Sequence, residues 1–423
     1  MIVLTAAATA AAVTLLMVLV ARNLSSGEKK INHEVESSWG IDSPQFERVL
    51  GSLLGPPIVG GNRIEGLQNG DQIFPAMLHA IQGAEHSICF ETYIYWQGEI
   101  AEQIAGALAE RSRAGVAVHV LLDWLGSNKI EPRLIEQMQD AGVEVERYHP
   151  IRWYQLDRVN QRTHRKILVV DGRLGFTGGV GIGDEWTGDA QDPQHWRDAH
   201  YRVEGPAVAQ MQASFMDNWL KTRAKVLHGE EYFPALEPAG DMKGQMFRSS
   251  PREGSASVRL MYLLAIAAAR EEILIGNAYF VPDDLARDEL VAAARRGVRI
   301  RIVVPGRHND ADLVRRASRG RWGELLAAGA EIYEYQPTMY HCKIFVVDRL
   351  LVSVGSTNLD NRSFRLNDEA NLNVLDRAFA ESQAQVVTDD AAKGRQMTHA
   401  QWRRRPRRER LADWLSGLLR AQF

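Results

Sequence analysis

Short, nearly continuous apolar runs alternate along the chain with longer stretches whose apolar residues recur every three or four positions. In chain order this pattern predicts a helix over Ile73–Ile81, a strand over His86–Tyr95, a helix over Ile100–Ala114 and a buried strand over Val116–Leu122. A helix over Leu134–Ala141 and a strand over Val143–Arg147 come next. They lead to an apolar run at Ile167–Val170, which a second run answers across Asp171-Gly172. Strands and helices alternating at these lengths predict an α/β fold with helices packed on the faces of the sheet.

The same order then returns. Met261–Ala269 reads as a helix, Ile273–Val281 as a strand, Leu285–Arg296 as a helix and Val298–Val304 as a strand. A helix over Trp322–Ala328 and a strand over Ala330–Tyr335 complete the replay. Local echoes support the match: RAGVAVHVLL at 113–122 against RRGVRIRIVV at 295–304, and AGVEVERY at 141–148 against AGAEIYEY at 328–335. The offsets, between 177 and 187, are far too long for a solenoid repeat and indicate a duplicated domain. The expected division is a first domain over residues 67–235 and a second over 236–400, with a junction rich in Pro, Gly and Glu near 228–244. Residues 23–66, rich in Ser, Gly, Pro and Asn, read as a linker and lead-in segment.

The two ends depart from this pattern. Residues 2–21 carry no charge and Arg22 closes the run; about 20 apolar residues are enough to cross a bilayer as a helix. Neither a basic stretch before the run nor a small-residue cleavage site after it is evident, so residues 1–22 are expected to be an uncleaved transmembrane anchor rather than a removed signal. Arg22, Lys29 and Lys30 favour a cytoplasmic position for the rest of the chain. At the other end, the tail 401–423 contains WRRRPRRER at 402–410, with six arginines and one glutamate. Leu411, Trp414, Leu415, Leu418 and Leu419 then recur at helical spacing. Two readings fit: a membrane-surface helix, or a terminal helix docked on the domain with a solvated basic face. Beside the apolar N-terminus, membrane contact is the favoured one.

Composition adds limits. A formal net charge of -3 with 24% charged residues describes an ordinary globular surface and speaks against a nucleic-acid partner. Two cysteines, Cys89 and Cys342, cannot make a disulfide framework and read as buried thiols. Cys342, between His341 and Lys343, should point to the strand face opposite theirs.

The candidate chemistry lies in THRKILVVDGRLGFTGG at 163–179 and YHCKIFVVDRLLVSVGSTN at 340–358. His164, Lys166 and Asp171 recur as His341, Lys343 and Asp348, each at an offset of 177. Side chains two apart on a strand share a face, so each histidine projects with its lysine. Two halves packed about a pseudo-twofold axis would bring both pairs to one cleft. Facing ammonium groups are unfavourable unless an anion lies between them, and a phosphodiester suits these donors. One histidine can attack phosphorus while the other protonates the leaving alcohol and then deprotonates the incoming water or alcohol. No Cys/His/carboxylate cluster has metal-ligand spacing, so neither metal nor cofactor is expected.

The doubled H-x-K-x-x-x-x-D, each copy before a Gly-rich turn, resembles the signature of the phospholipase D superfamily over residues 67–423. The resemblance implies two duplicated phospholipase D-like α/β/α sandwich domains with mixed sheets, related by a pseudo-twofold axis, and a phosphohistidine mechanism. Within the superfamily, GSTNLDNRSFRLNDEANL at 355–372, ETYIY at 91–95, DWLGS at 123–127 and HWRDAHYRVEGPAV at 195–208 resemble bacterial cardiolipin synthases, as does the arginine-rich tail. That group joins two phosphatidylglycerols with release of glycerol, or uses another phospholipid. The resemblance therefore implies phosphatidyl transfer, phospholipid substrates, a bacterial cytoplasmic membrane location and no nucleic-acid partner. A phospholipase D hydrolase releasing phosphatidic acid is the nearest alternative, and a nuclease of the superfamily a more distant one. A catalytically dead scaffold is opposed by two intact His/Lys pairs. By resemblance, His164 is the nucleophile and His341 the general acid.

The remaining site residues need separate weighing. Asp171 and Asp348 carry the third letter of the motif, but they lie at the far end of the strand, where turn and ion-pair roles outweigh acid/base work. Aligning DAHYRV at 198–203 with EANLNV at 369–374 sets Asp198 opposite Glu369. A carboxylate on the second ring N–H fixes a histidine's tautomer; the resemblance favours this role for Glu369, while Asp198 has it by internal alignment or instead pairs with Arg197. Gly178-Gly179-Val180-Gly181 aligns with Gly355-Ser356-Thr357-Asn358. Ser356 and Asn358 are expected to donate to phosphate oxygens, whereas the Gly179/Gly181 turn offers backbone N–H groups. His195, His200 and His308 fall near the cleft by alignment, and Trp124, Trp153 and Tyr154 read as core or as a lipid entrance.

Overall fold

The computed structural model describes residues 5, 9–18, 35, 37–150, 160–250 and 257–418. The strands of the first half are β1 (Val59–Gln68), β2 (Ser87–Thr92), β3 (Ala117–Asp123), β4 (Glu144–Tyr148), β5 (Ile167–Val170), β6 (Leu174–Gly178) and β7 (Ala199–Glu204). Those of the second are β8 (Met242–Ser249), β9 (Glu272–Asn277), β10 (Arg299–Pro305), β11 (Glu331–Tyr335), β12 (Lys343–Val347), β13 (Leu351–Gly355), β14 (Glu369–Leu375) and β15 (Gly394–Met397). Among the described residues these form one sheet in the order β15-β11-β10-β9-β12-β13-β14-β8-β1-β7-β6-β5-β2-β3-β4.

Apart from β15, the order reads the same from either end when each strand of one half is replaced by its counterpart in the other. β1 and β8 meet antiparallel at the centre, through Val59 opposite Gly244 and Asn62 opposite Met242. Each half is mixed: β2–β3–β4 and β9–β10–β11 pair in parallel, while β5, β6 and β7 and their counterparts β12, β13 and β14 are antiparallel. The central strands β2, β5, β9 and β12 are buried along their whole length, which is why β5 (ILVV) and Ile344–Val347 of β12 read as unbroken apolar runs. The duplicated mixed α/β fold expected from the sequence is present.

Three cores hold the layers together. Helices Asn69–Gln82, Glu99–Arg113 and Pro132–Asp140 cover one face of the first half through Phe74, Ile104, Leu108 and Leu134. Helices Ser257–Ala268 and Asp284–Arg295 do the same for the second. The third core belongs to both halves. Phe215 and Trp219 of helix Ala207–Arg223, and Phe379 and Val387 of helix Arg377–Ala392, pack with strand residues from both sides of the β1/β8 seam. Cys342 lies in this core, opposite the face of its neighbours as expected, and both cysteines are buried free thiols.

Three expectations change. The segment read as a linker and lead-in instead holds helix Pro44–Leu54, capped by Ser43, and strand β1. Phe46, Leu50 and Leu54 of that helix pack into the core of the second half, while β1 pairs with β7 of the first half and β8 of the second. The strands expected over His86–Tyr95 and Ile273–Val281 end early, at Thr92 and Asn277, because the apolar residues beyond them turn away from the ladder. Of the predicted N-terminal span, residues 9–18 are helical and exposed, and most of the rest lies outside the described residues. Among the described residues no helix is long and apolar enough to cross a membrane.

Candidate active site

His164 and His341 lie in extended segments leading into β5 and β12, and each segment is tied by its backbone to the other half. His164 N–H donates to the carbonyl of Asp368 at 2.9 Å, and Asp368 N–H returns to Arg162 at 2.9 Å. In the same way His341 N–H donates to Arg197 at 2.7 Å, and Arg197 N–H to Met339 at 2.9 Å. Asp368 and Arg197 immediately precede Glu369 and Asp198. The backbone therefore sets each histidine beside the carboxylate of the opposite half.

The side chains complete the exchange. His164 Nδ1 lies 3.1 Å from both oxygens of Glu369, and His341 Nδ1 lies 2.6 Å from Asp198 Oδ2. With Nδ1–H donating to a carboxylate, Nε2 is the ring nitrogen left for chemistry. Each carboxylate is held in turn. Glu369 accepts from Ser356 Oγ at 2.5 Å and from Ser363 Oγ at 2.7 Å. Asp198 accepts from Trp186 Nε1 at 2.9 Å and from the N–H of Ala199 at 2.8 Å.

Both histidines and Lys166 line a cavity of about 310 Å3 walled by Tyr93, Trp96, Trp186, Trp196 and Tyr279, with Asn358, Asp310, Asp360, Arg362 and Asn367 around it. Lys166 Nζ donates to the carbonyl of His164 at 2.8 Å and Lys343 Nζ to that of His341 at 2.5 Å. Lys343 Nζ also sits 3.1 Å from both ring nitrogens of His341.

Burial and crowded positive charge set the proton affinities. Burial, more than the Glu369 charge offsets, pushes the His164 imidazole down to about 4, with Lys166 adding to the fall. Burial and Lys343 likewise push His341 down. Lys166 falls to about 7 through burial and the neighbouring Lys343 charge, and burial lowers Lys343 as well. Burial alone would raise both carboxyls, but the charge and hydrogen bonds of their histidines outweigh it and hold Glu369 and Asp198 below the usual carboxylate range. Burial thus disfavours the charged forms of both histidines and both lysines. A bound phosphodiester would reverse that preference.

Other residues singled out from the sequence are placed elsewhere. Asp171 and Asp348 do not reach the cavity. Asp171 accepts from the N–H groups of Glu85, His86 and Ser87, and Asp348 from those of Arg270, Glu271 and Glu272, both from left-handed turn positions with φ of 52° and 48°. Their partners are backbone amides, where ion pairs were expected. Ser356 was expected to donate to phosphate, but it is buried and its hydroxyl is spent on Glu369. Gly179 was expected to offer its N–H to phosphate; that group donates to the carbonyl of Ala199 at 3.0 Å. The glycine is required for a different reason: a Cβ there would stand 2.2 Å from Asp198 Oδ1.

Asn358 does line the cavity, and its buried side-chain oxygen has no hydrogen-bond partner among the described residues. Arg197 binds Asp390, at 3.0 Å, so Asp198 is left for His341. His200 is buried against Gly178, His195 bonds Asp192 beside a separate open depression, and His308 accepts from Arg307. Trp124 is half-buried outside the cavity lining, while Trp153 and Tyr154 lie outside the described residues. Among the described residues no group of three His, Cys, Asp or Glu side chains is placed to hold a metal ion.

The aromatic wall was not foreseen. Tyr93 meets the His164 ring edge-on at 5.1 Å, and Trp186 and Trp196 each stand 5.5 Å from His341. Tyr93 and Tyr279 were within reach of the sequence, since ETYIY at 91–95 and NAYFV at 277–281 follow equivalent strands. Trp196 lies in the HWRDAHYRVEGPAV stretch and was equally within reach, whereas Trp186, at the end of the short helix Asp184–Trp186, gave no such signal.

A family described as "Cardiolipin synthase, PLD-like domain" matches residues 77–219 and 262–390. The chain belongs to this cardiolipin synthase family. Each matched segment contains one of the two cavity histidines and the carboxylate that orients the other. Among curated relatives in the family, Cardiolipin synthase 2 of Bacillus cereus is 38% identical over 327 residues, covering 77% of this chain and 63% of that protein. Cardiolipin synthase A of Pseudomonas fluorescens is 35% identical over 373 residues, covering 88% of this chain and 77% of that one. The chain thus spans 63–66% of the length of the first Bacillus relatives it matches, a little under two thirds. In fold it is similar to phosphatidylserine synthase of Haemophilus influenzae, with a TM-score of 0.70 at 13% identity, covering 90% of this chain and all of that one.

Proposed function

We propose that the chain is a phosphatidyltransferase of the cardiolipin synthase type, joining two phosphatidylglycerols and releasing glycerol through a phosphohistidine. One observation carries the reading: two histidines, each with Nδ1 on a buried carboxylate, share a cavity with a lysine ammonium. That is a nucleophile and a general acid around a phosphodiester-sized space already supplied with positive charge.

His164 is assigned the attack. With its proton affinity down at about 4, it is neutral and nucleophilic at physiological pH. Its Nε2 forms a bond to phosphorus as the bond to the glycerol oxygen breaks, and His341 donates its Nε2 proton to that oxygen. The 2.6 Å contact with Asp198 supports the imidazolium that His341 must carry for this step. The hydroxyl of a second phosphatidylglycerol then gives its proton to His341, attacks the phosphohistidine and releases His164. Lys166, Lys343 and Asn358 hold the non-bridging oxygens. Glu369 and Asp198 are positioning residues, as are Ser356 and the Gly179 opening that supports them. The pairs His164/Lys166 and His341/Lys343 define the site, and Asp171 and Asp348 shape the turns.

We further assign residues 67–235, extended back to Val59 by β1, and residues 236–400 to the two duplicated domains, with helix Pro44–Leu54 docked on the second. Residues 1–22 are assigned to a single span in the bacterial cytoplasmic membrane with the catalytic part on the cytoplasmic side. The absence of charge over residues 2–21 and the Arg22, Lys29 and Lys30 that come after it support this.

The reaction is tested by incubating the detergent-solubilised chain with labelled phosphatidylglycerol and following cardiolipin, phosphatidic acid and glycerol. Cardiolipin and glycerol in equal amounts are expected. Phosphatidic acid as the only lipid product would assign the chain to hydrolysis, because water and alcohol compete for the same phosphohistidine.

A further inference from the structure

The terminal helix Arg407–Leu418 is docked the wrong way round for a soluble surface. Its inward face is polar: Asp413 is 1% exposed and Ser416 is buried. Asp413 binds Arg319 of helix Asp312–Gly320 at 2.9 Å and also Arg405, while Trp402 Nε1 donates to the Arg319 carbonyl at 2.8 Å. The apolar residues face outward, with Leu411 57%, Trp414 60%, Leu415 50% and Leu418 62% exposed. An amphipathic helix that packed for its own stability would bury the leucines and expose the aspartate. Here a buried ion cluster fastens the helix and holds its apolar stripe in solvent, where it costs free energy unless something covers it.

We propose that this stripe is a docking surface for an anionic lipid bilayer. Charge selects that occupant: Arg403, Arg404, Arg407, Arg408 and Arg410 are exposed at the same end of the molecule, beside a tryptophan and three leucines. Basic flanks with an apolar face suit lipid headgroups above and acyl chains below. A second copy of the chain would bring the same arginines together and be repelled. Position supports the assignment. The helix carrying Arg319 begins two residues after Asp310, which lines the catalytic cavity, and Leu313 on it is also exposed. A bilayer seated on the tail thus lies next to the mouth through which a phospholipid headgroup must pass. The argument from position rests on the proposed reaction, while docking itself is read without turnover.

The test labels position 415 of the full-length chain as Leu415→Cys with an environment-sensitive fluorophore; the native Cys89 and Cys342 are buried and do not compete. The protein is reconstituted into nanodiscs of phosphatidylcholine alone or with phosphatidylglycerol, with and without brominated acyl chains. A blue shift and bromine quenching are expected only with phosphatidylglycerol, and the same from a label at Leu411→Cys. In the labelled chain, each of Arg407→Gln and Arg408→Gln should reduce the ratio of quenched to unquenched label about fivefold. A label that stays in water with phosphatidylglycerol, or is quenched equally without it, overturns the proposal. A blue shift without lipid that grows with protein concentration assigns the face to a second copy and also overturns it.

Discussion

The two halves of the site share a backbone and differ in how they hold a carboxylate. Around His164, Glu369 is gripped by two hydroxyls, Ser356 and Ser363, and accepts the imidazole through both oxygens at 3.1 Å. Around His341, the shorter Asp198 is gripped by an indole and a backbone N–H, and makes one contact of 2.6 Å. The difference follows from one pair of equivalent positions. Ser356 fills the space beside Glu369 with a donor, whereas Gly179 leaves that space empty and the Asp198 carboxylate occupies it. A duplicated fold has thus been given a loosely bonded histidine suited to attack and a tightly bonded one suited to carrying a proton.

The largest test separates the two carboxylates. Asp198→Asn and Glu369→Gln should each lower turnover of phosphatidylglycerol by about 10^3-fold, through the wrong tautomer and an unsupported imidazolium. With an aryl phosphodiester whose leaving group needs no proton, Asp198→Asn should regain most of the first-step rate, measured as a burst of phenolate. Glu369→Gln should not. Equal recovery would erase the distinction between the halves.

Exchanging the supports comes next. In Gly179→Ser the new Cβ would crowd Asp198 at 2.2 Å, so the variant should lose about 1–3 kcal/mol of stability in denaturant melts, together with about 10- to 100-fold in turnover. Ser356→Ala removes one of two donors to Glu369 and should cost about tenfold in turnover. A Gly179→Ser chain of full activity would show that the opening does not matter.

A smaller effect concerns Lys166. Its ammonium has a proton affinity of about 7, so the charged fraction falls as pH rises above that value. The affinity for a soluble phosphodiester should fall about tenfold per pH unit above 7, with proton uptake on binding detectable by calorimetry in buffers of different ionisation enthalpy. Lys166→Arg, whose guanidinium stays charged, should flatten that slope. The smallest effect on catalysis is predicted for Asp171→Asn and Asp348→Asn: about 1–2 kcal/mol of stability through weakened bonds to the backbone amides, with kcat per folded molecule unchanged.

The sequence revealed the parts of the site that are local. His164 with Lys166, and His341 with Lys343, follow from side chains two apart on a strand, and their doubling implied a shared cavity. The central strands were legible because burial on both faces leaves apolar runs such as ILVV in β5 and IFVV in β12. β1 and β8 were not: Gly60-Gly61 and the polar residues of MKGQMFRS hide strands at the seam between the halves. The exchange of Glu369 and Asp198 between histidines was also invisible, because an internal alignment matches equivalent residues and says nothing about which half each one faces. Ser356 was misassigned for a related reason. Its place in the glycine turn suggested phosphate, and only the packing shows a carboxylate nearer. The tail's apolar spacing was legible, while its orientation depended on Asp413 finding Arg319, a contact between residues 94 apart.

The unequal roles of the two histidines are tested most directly by trapping the intermediate. The chain is quenched during turnover of phosphatidylglycerol, digested under conditions that preserve phosphoramidates, and mapped by mass spectrometry. A phosphatidyl group on His164 and none on His341 is the predicted result; the group on His341, or on neither histidine, would contradict the account.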